Sequence, residues 1–440
     1  MRRRREWHGR PARESRARCT CHLKLQLVAH PHVRYNRVSN FMKVIAPPAK
    51  VYLSAAIAAF LFFFVTNSFS QTPPATTVSD RPVNVLVLGD SISWGQGLKD
   101  EHKASSLVKS WLEQQTGREV RQMIQAHSGA IIGSADLAED KTARDAAAEL
   151  DGELSRAYPT INDQIDYALK ASNPAVVDLV MVNGCINDVD SRQLLNAANT
   201  PDKIRELAQA KCGPPVEALL TRITTAFPKA HVVIIGYYPI LSQKTANDLF
   251  MRALAKRFYT PEPGAPKMHD KMLRARLIAN SREWYETSDQ MLAAAARKID
   301  AQLATRGSDQ RVLFADPGFR EENAFAAGES RLWGFNASWL RKMLVVLTLG
   351  RVELRTNDEQ RSHRSDLCKS FFKKPAQETA DQEAQRDDRL TRCKLAAVGH
   401  PNRKGAAMYA DAIGRSLKPL ITDTGWLKRS APSAIATPSP

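Results

Sequence analysis

Ser91, which follows a buried strand, is the first residue of the chain suited to nucleophilic chemistry. The run Val83–Leu88 is aliphatic apart from Asn84, a pattern typical of a parallel strand buried on both faces. Gly89, Asp90 and Ser91 follow it directly. Ligands and reacting groups of open α/β sheets lie where the strands end, so Ser91 is placed to act as a nucleophile. A serine here can equally cap the next helix or complete a turn.

Further along the chain, three other residues of interest follow predicted strands or precede a predicted helix. Gly129 lies in a loop, and Asn187 follows the predicted strand Val176–Val182. His400 is followed by Pro401, which prevents a helix through it and places the imidazole on a loop. An imidazole can take the proton of a serine hydroxyl, and amide N–H groups can stabilise an oxyanion. Asn187 can instead be a turn residue whose amide bonds its own backbone.

Four motifs resemble, in the same order, the four sequence blocks of the GDSL or SGNH hydrolase family: Gly89-Asp90-Ser91, Gly129, Gly184-Cys185-Ile186-Asn187 and His400-Pro401. The resemblance implies an α/β fold, a three-layer α/β/α sandwich around a mostly parallel, flavodoxin-like sheet. Ser91 would be the nucleophile, and His400 the base that takes its proton and later returns it to the leaving alcohol. The oxyanion hole would consist of the backbone N–H groups of Ser91 and Gly129 and the side-chain amide of Asn187.

The sequence departs from the family pattern three positions before His400. Much of the family has an Asp there that orients the imidazole, whereas this chain has Ala397 and no carboxylate between Arg392 and His400. Either a main-chain carbonyl or a distant carboxylate would then hold the imidazole N–H. We expect Asp90 to bond loop N–H groups rather than to act in the triad.

Alternating strand and helix patterns predict one elaborated domain over residues 81–428. The other predicted strands are Val120–Ala126, His231–Ile235 and Arg311–Phe314, and the predicted helices are Lys103–Gln115, Ile161–Lys170, Val216–Phe227 and a charged region Ala246–Arg306. Residues 351–394 are dense in charge and predict a solvated surface insertion. The segment Phe314–Gly334 also resembles one found in secreted members of the family. It either lines the acyl or alcohol pocket or packs Trp333 on the domain as an exposed loop.

The first 80 residues predict export. Residues 1–41 hold +9 of the net charge of +17. Met42 starts a well-formed signal, in which a lysine-bearing start precedes the apolar run Val51–Val65 and the cleavage site Ser68–Ser70. We therefore predict that residues 1–41 come from a misassigned start codon and that 42–70 are a signal peptide or an uncleaved anchor.

The regions flanking the predicted domain have the composition of unstructured chain. Residues 71–80 are rich in Pro, Thr and Ser and predict a linker, and residues 429–440 predict a disordered tail. The export signal predicts a secreted or periplasmic protein, or one anchored in the membrane and facing outside the cytoplasm. Only residues 1–41 favour nucleic-acid binding, so we expect no nucleic-acid partner, and no metal or cofactor is implied.

Four cysteines lie in the predicted domain: Cys185, Cys212, Cys368 and Cys393. An even number in an exported protein predicts two disulfides, for which three pairings exist. Pairing by proximity in the sequence gives Cys185–Cys212 and Cys368–Cys393, each stabilising the fold by roughly 3 kcal/mol. No Cys-x-x-Cys pair or His-rich cluster accompanies them, so a zinc site is not expected.

Three functions fit these residues. The first is hydrolysis of a carboxylic ester, which would be a short acyl ester, a lipid or an acetylated glycan, through an acyl-enzyme on Ser91. The second is acyl transfer to a sugar or lipid acceptor by the same residues. The third is a binding protein that keeps the fold without catalysis. The presence together of Ser91, Gly129, Asn187 and His400 favours the hydrolase.

Overall fold

The computed structural model describes residues 81–133, 152–261, 263–264, 267–334 and 358–427. The predicted start segment 1–41, signal 42–70, linker 71–80 and tail 429–440 all lie outside these residues. Among the helices in the described ranges, none combines the length and the apolar character that crossing a membrane requires.

Five parallel strands form one sheet in the order β2-β1-β3-β4-β5. The strands are β1 (Val83–Leu88), β2 (Val120–Ile124), β3 (Leu179–Val182), β4 (His231–Ile235) and β5 (Val312–Ala315). Every residue of β3 and β4 is buried, as expected for strands covered on both faces. Because the strands are parallel, their carboxyl ends meet at one edge, where Ser91, Asn187 and Tyr238 follow β1, β3 and β4.

Helices cover both faces of this sheet. In chain order they are α1 (Ser91–Trp94), α2 (Ala104–Thr116), α3 (Ile161–Ala171), α4 (Ile186–Val189), α5 (Ser191–Leu194), α6 (Pro201–Cys212), α7 (Pro214–Ala226), α8 (Leu249–Phe258), α9 (Asp270–Thr305), α10 (Asp358–Phe371), α11 (Ala380–Leu395) and α12 (Arg403–Asp423). Helices α2 and α12 pack on each other, and α12 lies on β4 and β5. A second packed group consists of α3, α7 and α9. The predicted three-layer α/β/α fold is confirmed.

The structure differs from the predicted elements in the length and number of some segments. Strand β3 starts at Leu179, three residues late, because Pro174–Val176 form a 3₁₀ turn capped by the Asn173 side chain. Helix α6 was not predicted, although Thr200 caps it and Pro201 occupies its first turn. The charged insertion contains α10 and α11.

Two disulfides cross-link the described residues. Cys185 bonds to Cys212 and joins the loop after β3 to the end of α6. Cys368 bonds to Cys393 and joins α10 to α11. These are the two pairs that proximity in the sequence predicted. The first bridge holds the segment that leads directly into α4, the helix that carries Asn187.

Candidate active site

Ser91 is presented by a tight turn between β1 and α1. Gly89 adopts φ = +124°, and a Cβ at that position would overlap the side chain of Asn183. The Gln164 side chain accepts a hydrogen bond from the Gly89 N–H at 2.8 Å and donates to the Gly89 carbonyl at 2.9 Å. These contacts require glycine at the turn and fix the direction in which the chain leaves the strand.

Asp90 fixes the same turn from the inside. Its carboxylate accepts hydrogen bonds from the Ile92 N–H at 2.8 Å and from the Asn183 side-chain amide at 2.6 Å. The Tyr237 hydroxyl lies 3.4 Å away and donates to the other carboxylate oxygen. Burial raises the pKa of Asp90 to about 6, and the N–H of Ile92 opposes that rise. The carboxyl group therefore caps α1 and holds the loop that carries Ser91.

His400 meets Ser91 across the carboxyl edge of the sheet. The distance between His400 Nε2 and Ser91 Oγ is 2.8 Å, which is a hydrogen bond. Asn402 caps α12 by accepting from the backbone N–H groups of Lys404 and Gly405. The imidazole therefore lies on a short loop that ends in a packed helix, as the sequence predicted.

The loop that carries His400 is held by main-chain hydrogen bonds on both sides. The Trp333 N–H donates to the His400 carbonyl at 2.7 Å, and the Gly399 N–H donates to the Trp333 carbonyl at 2.9 Å. The Tyr238 hydroxyl, just after β4, donates to the Gly399 carbonyl at 2.9 Å. The Tyr238 ring packs against Phe319. We call this set of contacts the His400 clamp.

Ala397 occupies the position where much of the family has an Asp. It is 6% exposed and packs in a small apolar cluster with Leu98, Trp333 and Ala406. A Cβ at Gly97 would come within 2.5 Å of the Ala397 Cβ. A carboxylate at residue 397 would be buried among apolar groups, which is costly. The buried Trp333 in this cluster also shows that the segment around it packs into the domain, and Phe325 of the same segment lines the cavity described below.

Gly129 and Asn187 supply the other predicted N–H groups. Gly129 adopts φ = +83°, and a Cβ there would meet the backbone N of Arg156 at 2.5 Å. The Asn187 side-chain amide donates one hydrogen to the Ala130 carbonyl at 2.9 Å, which fixes its orientation. Within the described ranges, the backbone N–H groups of Ser91 and Gly129 have no hydrogen-bond acceptor. Donors of this kind can stabilise an anion that forms next to Ser91.

One cavity of about 520 Å³ brings the four predicted residues together. Ser91, Gly129, Asn187 and His400 all line it, together with the polar side chains of Ser128, Ser155 and Ser191. Its remaining wall is mainly apolar and includes Ile186, Leu195, Ile240, Leu254 and Phe258. Elsewhere in the described part of the chain, no group of three or more His, Cys, Asp or Glu side chains is arranged to hold a metal ion.

Three residues of the site were not assigned a role from the sequence: Gln164, Asn183 and Tyr238. Gln164 is fully buried on one face of helix α3. A Gln at a position of that face where an apolar residue is expected was the one sequence signal that could have identified it. Asn183 and Tyr238 follow predicted strands, but their partners depend on the order of the strands in the sheet.

The model of the GDSL-like Lipase/Acylhydrolase family matches residues 87–335, more than half of the chain. Among solved structures, the extracellular lipase from Streptomyces rimosus is similar at 17% identity, covering 57% of this chain and 87% of its own, with a TM-score of 0.33. Phospholipase A1 from Streptomyces albidoflavus NA297 is similar at 13% identity, covering 59% and 89%, with a TM-score of 0.32. No curated protein matches the chain. The family match ends before His400, so the placement of His400 rests on the geometry above.

Replacing Tyr238 with Phe should reduce the kcat of the predicted ester hydrolysis roughly 10- to 100-fold, with KM little changed. The variant keeps the ring against Phe319 and loses only the hydrogen bond that holds the Gly399 carbonyl. Steady-state kinetics measure the change. Tyr409→Phe is the control, since it also removes a buried bond from a tyrosine hydroxyl to a carbonyl, that of Gly236, but leaves the bond to the Gly399 carbonyl in place. Equal kinetic losses in both variants would contradict a positioning role for Tyr238.

Replacing Asp90 with Asn should remove a pH dependence of stability. Burial raises the folded-state pKa of Asp90 to about 6, from 3.8 in its absence. Between these values the unfolded chain has released the proton while the folded protein keeps it, so the free energy of unfolding falls as pH rises. The stability of Asp90→Asn relative to wild type should therefore increase by about 2 kcal/mol from pH ~4 to pH ~7. Urea unfolding at both pH values measures this, and a pH-independent difference would rule it out.

Proposed function

The chain belongs to the GDSL-like lipase/acylhydrolase family and is a serine ester hydrolase, and on that premise we propose that it cleaves carboxylic esters through an acyl-enzyme on Ser91. The observation that carries the proposal is the 2.8 Å hydrogen bond between His400 Nε2 and Ser91 Oγ at the wall of a cavity. A serine hydroxyl becomes a useful nucleophile when such a base adjoins it.

Acylation uses both residues at once. Ser91 Oγ attacks the carbonyl carbon of the ester while His400 Nε2 takes the hydroxyl proton. The bond between the carbonyl carbon and the alcohol oxygen then breaks, and the alcohol leaves with the proton that His400 returns. The acyl group remains bonded to Ser91 Oγ. In the second half-reaction a water loses its proton to His400 and attacks the same carbon. The bond between that carbon and Ser91 Oγ then breaks, and His400 returns the proton to Oγ, which releases the carboxylic acid and restores Ser91.

Three N–H donors stabilise the negative charge that develops on the carbonyl oxygen: the backbone N–H groups of Ser91 and Gly129 and the Asn187 amide. Two observations support this assignment. The two backbone N–H groups have no acceptor within the described ranges, and the Ala130 carbonyl orients the Asn187 amide. Donors already in place need no reorganisation during the reaction, and each is worth about 3 kcal/mol of barrier. The positive φ of Gly129 supports its assignment, since this backbone conformation strains other residues.

We place the enzyme outside the cytoplasm. The two disulfides support this location, because such bonds persist in oxidising compartments. The sequence predicts an export signal at residues 42–70. If this signal is cleaved the enzyme is secreted or periplasmic, and if it is not cleaved the enzyme is anchored in the membrane. The substrate partner is a small-molecule ester, and acyl transfer to an acceptor other than water would use the same residues.

Hydrolysis of p-nitrophenyl esters by wild type and Ser91→Ala tests this proposal. We expect at least a roughly 10³-fold loss of kcat in the variant, since the nucleophile is removed. Ser110→Ala, which changes an exposed serine on α2, is the control and should retain full activity. Undiminished activity in Ser91→Ala would contradict the proposal. An inactive wild type would favour the alternative that the protein keeps the fold and binds a ligand without catalysis. Mass spectrometry of the products in the presence of a sugar or lipid acceptor separates hydrolysis from acyl transfer.

A further inference from the structure

The wall of the cavity that contains Ser91 differs in burial from one part to another. Leu241, Met251, Ala255 and Leu277 line the cavity and also line a separate small pocket, so they form the partition between the two. Leu241, Ala255 and Leu277 are buried. On the His400 side, by contrast, the cavity wall contains Leu395, whose exposed fraction is 48%. The cavity wall is therefore buried and apolar at this partition and reaches an exposed residue on the segment that leads to His400.

The two ends suit the two halves of an ester. The alcohol takes its proton from His400 and departs, so it belongs on the His400 side, where the wall includes the exposed Leu395. The acyl group stays bonded to Ser91 until water attacks, so it belongs at the buried apolar side. We propose that the partition end of the cavity binds the acyl chain and that the substrates are esters of aliphatic acids longer than acetate. This inference rests on the proposed function.

The size and lining of the cavity support a long acyl chain over an acetyl group. A volume of about 520 Å³ is within the range of sites that enclose whole ligands, ~300–1,000 Å³. The two carbons of an acetyl group would leave most of it unfilled. A sugar placed there would bury hydroxyl groups against Leu241, Met251 and Leu277 with few partners. An aliphatic chain gains from the same contacts.

Helix α8 supplies one long wall of the acyl end. Met251, Leu254, Ala255 and Phe258 are spaced i, i+3, i+4 and i+7, so they share one face, and all four line the cavity. Ala253, two residues before Ala255, is exposed on the opposite face. The helix thus offers two alanines of equal helix propensity, one on the cavity wall and one outside it.

Ala255→Phe and Ala253→Phe form the matched test. With p-nitrophenyl esters of increasing acyl length, the kcat/KM of wild type should rise by about fourfold per methylene until the cavity is filled. In Ala255→Phe the ratio of kcat/KM on the longest esters to kcat/KM on the acetate should fall at least tenfold below that of wild type. Ala253→Phe should match wild type throughout. Ala255→Leu, a smaller change, should give an intermediate loss and serves if the Phe variant does not fold.

A second series separates the acyl end from the alcohol end. In acetate esters of alcohols of increasing length, the dependence of kcat/KM on alcohol length should be the same in Ala255→Phe as in wild type. A selective loss in this series would place the alcohol at the partition and overturn the inference. A wild type that prefers acetate in the first series would also overturn it, while loss of activity in Ser91→Ala would leave the proposed function standing. A protein that hydrolyses no ester in either series overturns both.

Discussion

The hydrogen bond between Ser91 Oγ and His400 Nε2 joins residues 309 positions apart, and the rest of the structure serves to keep that distance. Ser91 is fixed because the turn after β1 is tied to Gln164 and Asn183. His400 is fixed because α12 docks on β4 and β5. Since a proton passes between these two atoms twice in each proposed turnover, a small displacement of either element would reduce the rate of both half-reactions.

The main chain contributes to positioning at a place where much of the family uses a side-chain carboxylate. At residue 397 the structure buries an alanine against Trp333 and Gly97, and the Trp333 backbone pairs with the His400 loop. Tyr238 adds a hydroxyl from the end of β4. Asp90, the carboxylate next to Ser91, caps α1, and burial raises the pKa of this carboxyl group. The geometry of the site therefore depends on loop and strand contacts that a motif does not contain.

The sequence predicted the sheet because its strands are short apolar runs, and parallel strands bring their ends to one edge. The ends of the parallel strands predicted that Ser91 and Asn187 would lie at one edge, and the resemblance to the GDSL or SGNH family implied that His400 joins them. The structure brings all three to one cavity. The sequence did not predict the His400 clamp or the buried apolar partition of the cavity. A tyrosine after a strand has the pattern of a core residue, and the partition combines residues from a loop, α8 and α9. Such contacts arise only once strand order and helix docking are known.

Labelling with a fluorophosphonate, followed by mass spectrometry of the digested protein, tests the central claim most directly. The reagent forms a covalent bond with a serine only when a base activates its hydroxyl. The adduct should lie on Ser91 and not on Ser93, which is buried in the same helix and bonds to Asn183. It should also disappear in His400→Ala. An unlabelled folded protein, or an adduct on another serine, would contradict the assignment of Ser91 and His400 as nucleophile and base.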